Sequence, residues 1–151
     1  MTTKIEGIDG LKAAVGQHVG YSAWHQVTQE QVNKFADATG DHQWIHVDVE
    51  RAKGGPFGGP IAHGYLTLSL TPTLLTEVFV VSGVSMAINY GLNKVRFPSP
   101  VPVGSQVRAG IEIASVEEVS GGAQVGLAVT YEIEGGTKPV CVAEILFRYY
   151  L

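Results

Sequence analysis

The second half of the chain alternates. Val107, Ala109, Ile111 and Ile113 fall between Gln106, Arg108, Gly110 and Glu112; Val125, Leu127, Val129, Tyr131 and Ile133 repeat the pattern after Ser120-Gly121-Gly122; Cys141, Ala143, Ile145, Phe147 and Tyr149 do so after Gly135-Gly136-Thr137. Successive side chains of a strand point to opposite faces, so each run predicts a half-buried strand, and the glycine turns between them predict hairpins. Just upstream, Met86, Ile88, Tyr90 and Leu92 share one phase while Val95 and Phe97 continue in the other, which predicts a strand over 86–97 with a bulge near Asn93. Three prolines make 98–104 a turn region.

The first half reads as helices. Asp9 is placed to cap a short helix over 9–15 with Leu11, Ala14 and Val15 on one side and Gly16 as its stop. A strand over 21–27 follows, and Thr28 with Gln31 has the spacing of a capping box. Val32, Phe35, Ala36 and Thr39 then fall on one helical face, with Glu30, Asn33, Lys34 and Asp37 left for solvent and Gly40 as the left-handed terminator. Asp48 can cap a helical turn over 49–53. The segment 54–60, Gly-Gly-Pro-Phe-Gly-Gly-Pro, is a loop that can line a site. Residues 62–81 are apolar or small nearly all round, the signature of a buried central helix, with Pro72 predicting a kink or break over 68–72. Helices followed by an antiparallel meander indicate an α+β fold whose sheet covers one long helix.

Composition narrows the class. A chain of 151 residues with 45% hydrophobic and 16% charged residues has the length and balance of one compact domain spanning 1–151. Its formal charge of −4 and lack of any basic run argue against nucleic acid or an anionic membrane as a partner. One cysteine, Cys141, leaves no internal disulfide and fits a reducing compartment. The N-terminus lacks the apolar stretch of a signal peptide and no segment reaches bilayer-spanning length, so the expected location is the cytoplasm.

The chemistry concentrates in 38–48, Ala-Thr-Gly-Asp-His-Gln-Trp-Ile-His-Val-Asp. Asp41 follows a helix C-terminus, where unpaired carbonyls favour a cation, and such exceptions cluster at functional sites. His46, five residues on, can exchange a proton near neutral pH. Together they can hold one water; separately, Asp41 reads equally as a turn residue and His46 as a packed core histidine. Asp41, His42, His46, Asp48 and His63 are also possible metal ligands, although no recognised ligand spacing joins them. Cys141 lies in a predicted strand and reads as core. No phosphate-binding loop and no Gly-x-Ser-x-Gly is present, so phosphoryl transfer and serine hydrolysis lack their usual parts.

Three segments, Thr-Gly-Asp-His-Gln-Trp-Ile-His-Val-Asp, Ile-Ala-His-Gly-Tyr-Leu-Thr-Leu-Ser-Leu and Lys-Val-Arg-Phe-Pro-Ser-Pro-Val-Pro-Val-Gly, together with the order of elements, resemble MaoC-like dehydratases of the (R)-specific enoyl-CoA hydratase type. The resemblance covers nearly the whole chain from the first strand onward. It implies a hotdog fold, an antiparallel sheet wrapped around a long central helix. It also implies a hydro-lyase that reversibly adds water to trans-2-enoyl-CoA in fatty acid metabolism, giving (R)-3-hydroxyacyl-CoA. Asp41 and His46 match the family's catalytic positions, Gly64 its helix-start glycine and Phe97 a position lining the acyl-CoA site. Coenzyme A enters as part of the substrate, no separate cofactor is implied, and the expected assembly is a homodimer. Physically, a backbone N–H at Gly64 can meet the charge that develops on a thioester oxygen. His63 is expected to support the helix start, and Lys94 or Arg96 either to meet a CoA phosphate or to stand as a solvated charge. Gln43-Trp44 replaces the family's Asn-Pro, a departure in the path between the two catalytic positions. The alternatives are a hotdog thioesterase, whose helix carboxylate would have to be Glu77, and a non-catalytic acyl-CoA binding module.

Overall fold

In the computed structural model, which describes all 151 residues, the elements run β1 (Thr3–Glu6), α1 (Gly7–Ala13), β2 (His18–Tyr21), β3 (His25–Gln26), α2 (Gln29–Thr39), α3 (Trp44–Val47), α4 (Val49–Lys53), α5 (Gly64–Ser69), α6 (Thr71–Val78), β4 (Phe79–Ser82), β5 (Met86–Arg96), β6 (Gln106–Val119), β7 (Gly122–Ile133) and β8 (Cys141–Tyr150). The sheet is antiparallel in the order β2-β6-β7-β8-β5, with β3 also on β6. It wraps around α5 and α6, which makes this the expected α+β hotdog: α6 lies against β6 and β2, and α5 against β8.

The alternation in the three long strands translates directly into burial. Val107, Ala109, Ile111 and Ile113, then Val125, Leu127, Val129 and Tyr131, then Cys141, Ala143, Ile145, Phe147 and Tyr149 are all buried, facing Leu66, Leu74, Leu75 and Val78 of the helix. Each large apolar side chain contributes roughly 1.5–3 kcal/mol when removed from water, so one face of the sheet and one side of the helix supply most of the stabilisation. The opposite side of the helix, with Tyr65, Ser69, Pro72, Thr73 and Thr76, is exposed.

Several expectations need correction. The central helix breaks at Leu70, with Pro72 in the first turn of α6, inside the expected 68–72, but it is neither as long nor as enclosed as the apolar run suggests and stops at Val78. Beyond that point Phe79 turns extended and β4 pairs in parallel with β1, Thr3 against Phe79 through Glu6 against Ser82. An N-terminal strand drawn from the far end of the chain thus claims residues whose local pattern reads as helix. The strand expected over 21–27 is two short pieces, because at Ser22 the side-chain oxygen replaces a backbone carbonyl as acceptor of the Ala109 N–H at 2.9 Å. Asp9 does not cap α1; it sits inside the first turn after Glu6, and Val15 is exposed. Thr28 does accept the Gln31 N–H at 3.1 Å, one half of the expected box.

In β5 the expected bulge at Asn93 is present, and a second shift occurs at Tyr90. Directly opposed residues share a face. Ile88 therefore lies with Arg148 on the outer face, while Leu92, opposite Ile145, has switched to the inner one. The four residues read as one stripe are divided by the extra bulge.

Candidate active site

Gly40, with φ of 83°, ends α2 in the left-handed conformation and turns the chain toward Asp41. One carboxylate oxygen of Asp41 accepts the Gln43 N–H at 3.3 Å, which closes the turn, and the residue remains exposed. The path from Gln43 onward is a helical turn, α3, that carries His46 inward. Trp44 anchors this turn: a Cβ on Gly55 would lie 2.9 Å from the Trp44 ring, so only glycine lets the loop pass, and the Arg51 guanidinium stands 4.3 Å from the ring on its face. The glycine-rich loop and the unusual tryptophan thus fit one another. Asp48 caps α4 as expected, accepting the Arg51 N–H at 3.1 Å.

His46 is 7% exposed, and its Nδ1 lies 2.7 Å from the Ile61 carbonyl. A carbonyl only accepts, so Nδ1 carries the proton and Nε2 keeps a free lone pair. His63 is 3% exposed; its Nε2 donates to the Asp41 backbone carbonyl at 2.9 Å and its ring stacks on that of His46 with centroids 3.9 Å apart. His63 immediately precedes α5 without capping it, so its side chain serves the Asp41 loop rather than the helix start.

Two cavities meet at this point. One, of about 460 Å³, is lined by Phe35, Thr39, Asp41, His46, His63, Gly64, Tyr65 and Phe97. The other, of about 290 Å³, runs from His46, Gly64 and Phe97 past Phe57, Thr67 and Val101 to Val140. The four candidate residues are therefore brought to one place, with His46, Gly64 and Phe97 on the shared boundary. Gly64 is the first residue of α5, so no earlier turn can take its N–H. Phe97 is 40% exposed and its ring lies over Gly64, as part of a cavity wall rather than of the core. Thr39 and Tyr65 belong to the same wall and were not singled out from the sequence. The available signal was a threonine on the otherwise apolar face of α2.

Of the five possible metal ligands, the fold gathers Asp41, His46 and His63, whose candidate atoms lie within 4.8 Å of one another. Their orientation does not suit one ion. An imidazole lone pair lies in the ring plane, and two rings stacked 3.9 Å apart at 24° cannot both aim at a point about 2.0–2.1 Å from each nitrogen. His42 is turned away, paired with Asp37 at 2.9 Å.

Other candidates stand apart. Glu77, the only carboxylate on α6, binds the Ala23 N–H at 3.0 Å and His25 at 2.7 Å and lines neither cavity, which leaves a thioesterase reading without its acid. Lys94 and Arg96 also line neither. Cys141 is buried in the sheet, and that burial pushes its thiol up to about 12.

Comparison with known proteins gives the family and the fold. The family model described as MaoC like domain matches residues 11–135. The 3-hydroxyacyl-thioester dehydratase Z of Mycobacterium tuberculosis is 58% identical over 145 residues, covering 95% of this chain and 96% of that protein. Among solved structures, a monoamine oxidase regulatory protein from Archaeoglobus fulgius superposes with a TM-score of 0.78 at 26% identity, covering 99% of this chain and 97% of that one. The unliganded R-hydratase from Pseudomonas aeruginosa superposes with a TM-score of 0.75 at 25% identity, covering 95% and 85%.

Proposed function

Given that the chain belongs to the MaoC-like dehydratase family, we propose that it adds water reversibly to trans-2-enoyl-CoA, forming (R)-3-hydroxyacyl-CoA. One observation carries the reading: the Asp41 carboxylate and the free Nε2 of His46 open on the same cavity as the first N–H of α5. A water donating one hydrogen to each of two acceptors has its oxygen lone pairs directed toward a third body, the β-carbon of the bound thioester. As the O–C bond forms, the π electrons of the double bond move toward the thioester carbonyl, whose oxygen gains negative charge and takes the Gly64 N–H. The water proton passes to one member of the pair, and the pair returns a proton to the α-carbon. The protein therefore ends the cycle in the protonation state in which it began. A positioned acid or base supplies about 10²–10⁴-fold of the acceleration and a placed backbone donor a comparable share.

Crotonyl-CoA absorbance loss tests this, run beside free-thiol release and equilibrium binding. Hydration without thiol release is the expected result. Thiol release would point to a thioesterase, and binding with neither reaction to a non-catalytic module. The product's configuration is read with an (R)-specific 3-hydroxyacyl-CoA dehydrogenase.

The assembly belongs to the same proposal. β5 pairs only with β8, so its other edge is free, and Met86, Ile88, Tyr90 and Leu92 are exposed along the strand on one face or the other. An uncovered apolar edge invites pairing, and a two-fold homodimer in which the two β5 edges join closes it. Light scattering should report a dimer at micromolar concentration; a fully active monomer would refute it.

A further inference from the structure

Two buried side-chain polar atoms in this chain lack a hydrogen-bond partner, Oε1 of Gln29 and Nδ1 of His63. They have something else in common. Gln29 Nε2 donates to the backbone carbonyl of His46 at 2.8 Å, with its other hydrogen on Asn33 Oδ1 one turn along α2 at 3.0 Å, and His63 Nε2 donates to that of Asp41 at 2.9 Å. Each orphaned atom is thus the unused end of a side chain whose other end holds one member of the proposed catalytic pair. An unpaired buried acceptor costs free energy, and apolar side chains of similar size would fill the same space without that cost. Packing therefore gives no reason for a glutamine and a histidine here, whereas fixing two carbonyls does.

We propose that Gln29 and His63 are positioning residues for the reaction, a frame that sets the separation and aim of Asp41 and His46. The inference rests on the hydration reading above. The two arms come from separate elements, Gln29 from the first turn of α2 and His63 from the residue before α5, so the frame joins the two helices on either side of the site. Asp41 needs it most. Residues 40–43 form no regular structure; the Asp41 N–H on Thr39 Oγ1 at 3.4 Å and the Gln43 N–H on its carboxylate are bonds to near neighbours in the chain, and the His63 bond is the one that reaches Asp41 from a distant segment. His46 is already held by its ring through Ile61, and Gln29 fixes its backbone as well. The frame also dictates a tautomer. With its proton on Nε2, His63 presents only a lone pair at Nδ1, so it has no second N–H with which to compete for the Asp41 carboxylate.

Steady-state hydration of crotonyl-CoA by the full chain decides the matter. His63→Phe keeps a ring against His46 but removes the donor, while His63→Gln restores an amide nitrogen near the position of Nε2. Gln29→Met keeps length and volume without a donor. A displaced catalytic group loses turnover on the order of 10–100-fold. His63→Phe and Gln29→Met should each show that loss in kcat with KM within about threefold, and His63→Gln should recover to within about fivefold of wild type. Either donor-less variant keeping wild-type kcat overturns the proposal, as does His63→Gln being no better than His63→Phe, or a loss carried by KM. If His63→Phe does not fold, Gln29→Met applies the same criterion from another element. A wild-type protein that hydrates no enoyl thioester would sink the hydration reading and this inference together; unchanged variants of an active wild type would sink this inference alone.

Discussion

Gly64→Ala tests the site where the structure is most specific. Gly64 is not among the glycines with positive φ, so alanine suits its backbone and should gain about 0.4–1 kcal/mol by restricting the unfolded chain. Against this, the new Cβ would stand 3.1 Å from three carbons of the Phe97 ring, where carbon contacts prefer about 3.5–4.0 Å. The ring must retreat by roughly half an ångström. Since Phe97 is 40% exposed it has room to do so, and the overpacking cost falls at the low end of its range, about 1 kcal/mol. The two effects nearly cancel, so the melting temperature should move by no more than a few degrees, roughly the shift that 1 kcal/mol produces. Activity should not be spared. The methyl group and the ring it displaces intrude on the junction of the two cavities, and a thioester held there and pushed aside by about 1 Å loses on the order of 100-fold. Crotonyl-CoA absorbance reads kcat/KM for the single variant and for Gly64→Ala with Phe97→Leu, which removes the ring and should regain part of the loss. Unaltered kcat/KM in the single variant would show that the thioester does not lie against Gly64 at this junction.

Asp41→Asn and His46→Gln should each lower turnover by about 10²–10⁴-fold, and the double variant should be only slightly worse than the worse single one, because the groups serve the same proton movements. A folded Asp41→Asn protein that hydrates crotonyl-CoA at the unmutated rate would refute the assignment. His42→Gln should leave turnover within a few-fold. The hydrogen bond to Asp37 raises the His42 pKa, so what stability the pair adds is present below the unfolded histidine value and disappears as pH rises through the folded one. Any separation between the melting curves of His42→Gln and wild type should accordingly lie on the acid side of that window; a difference confined to alkaline pH would contradict the sign. Cys141, with its thiol raised to about 12 by burial, should resist iodoacetamide at pH 8 in the native protein and react once denaturant is added. Rapid labelling of the folded protein would show that the β7–β8 region opens readily.

What the amino-acid sequence determined by itself is what depends on near neighbours. Alternation in the three long strands reports which face meets the core: the residues it placed there from Val107 to Ile113, from Val125 to Tyr131 and from Cys141 to Tyr149 are buried, and only Ile133, at the end of β7, is half-buried. Gly40 as a left-handed stop and Asp48 as a cap are equally local, each decided within a turn of chain. The candidate residues were legible because they stand in short motifs. Their convergence was not, since Gly64 and Phe97 reach Asp41 and His46 only through the folded arrangement. Tertiary structure alone decided the rest. Residues 79–82 became a strand because β1 from the distant N-terminus offered a partner, a long-range pairing that outweighs local propensity. Leu92 changed face because a second bulge shifted its register. His63 turned from the helix to the Asp41 carbonyl, 22 residues away, because that carbonyl was the acceptor within reach of its Nε2. Burial follows the periodicity of side chains along one segment, whereas a hydrogen-bond partner is chosen among groups that only the completed fold brings within 3 Å.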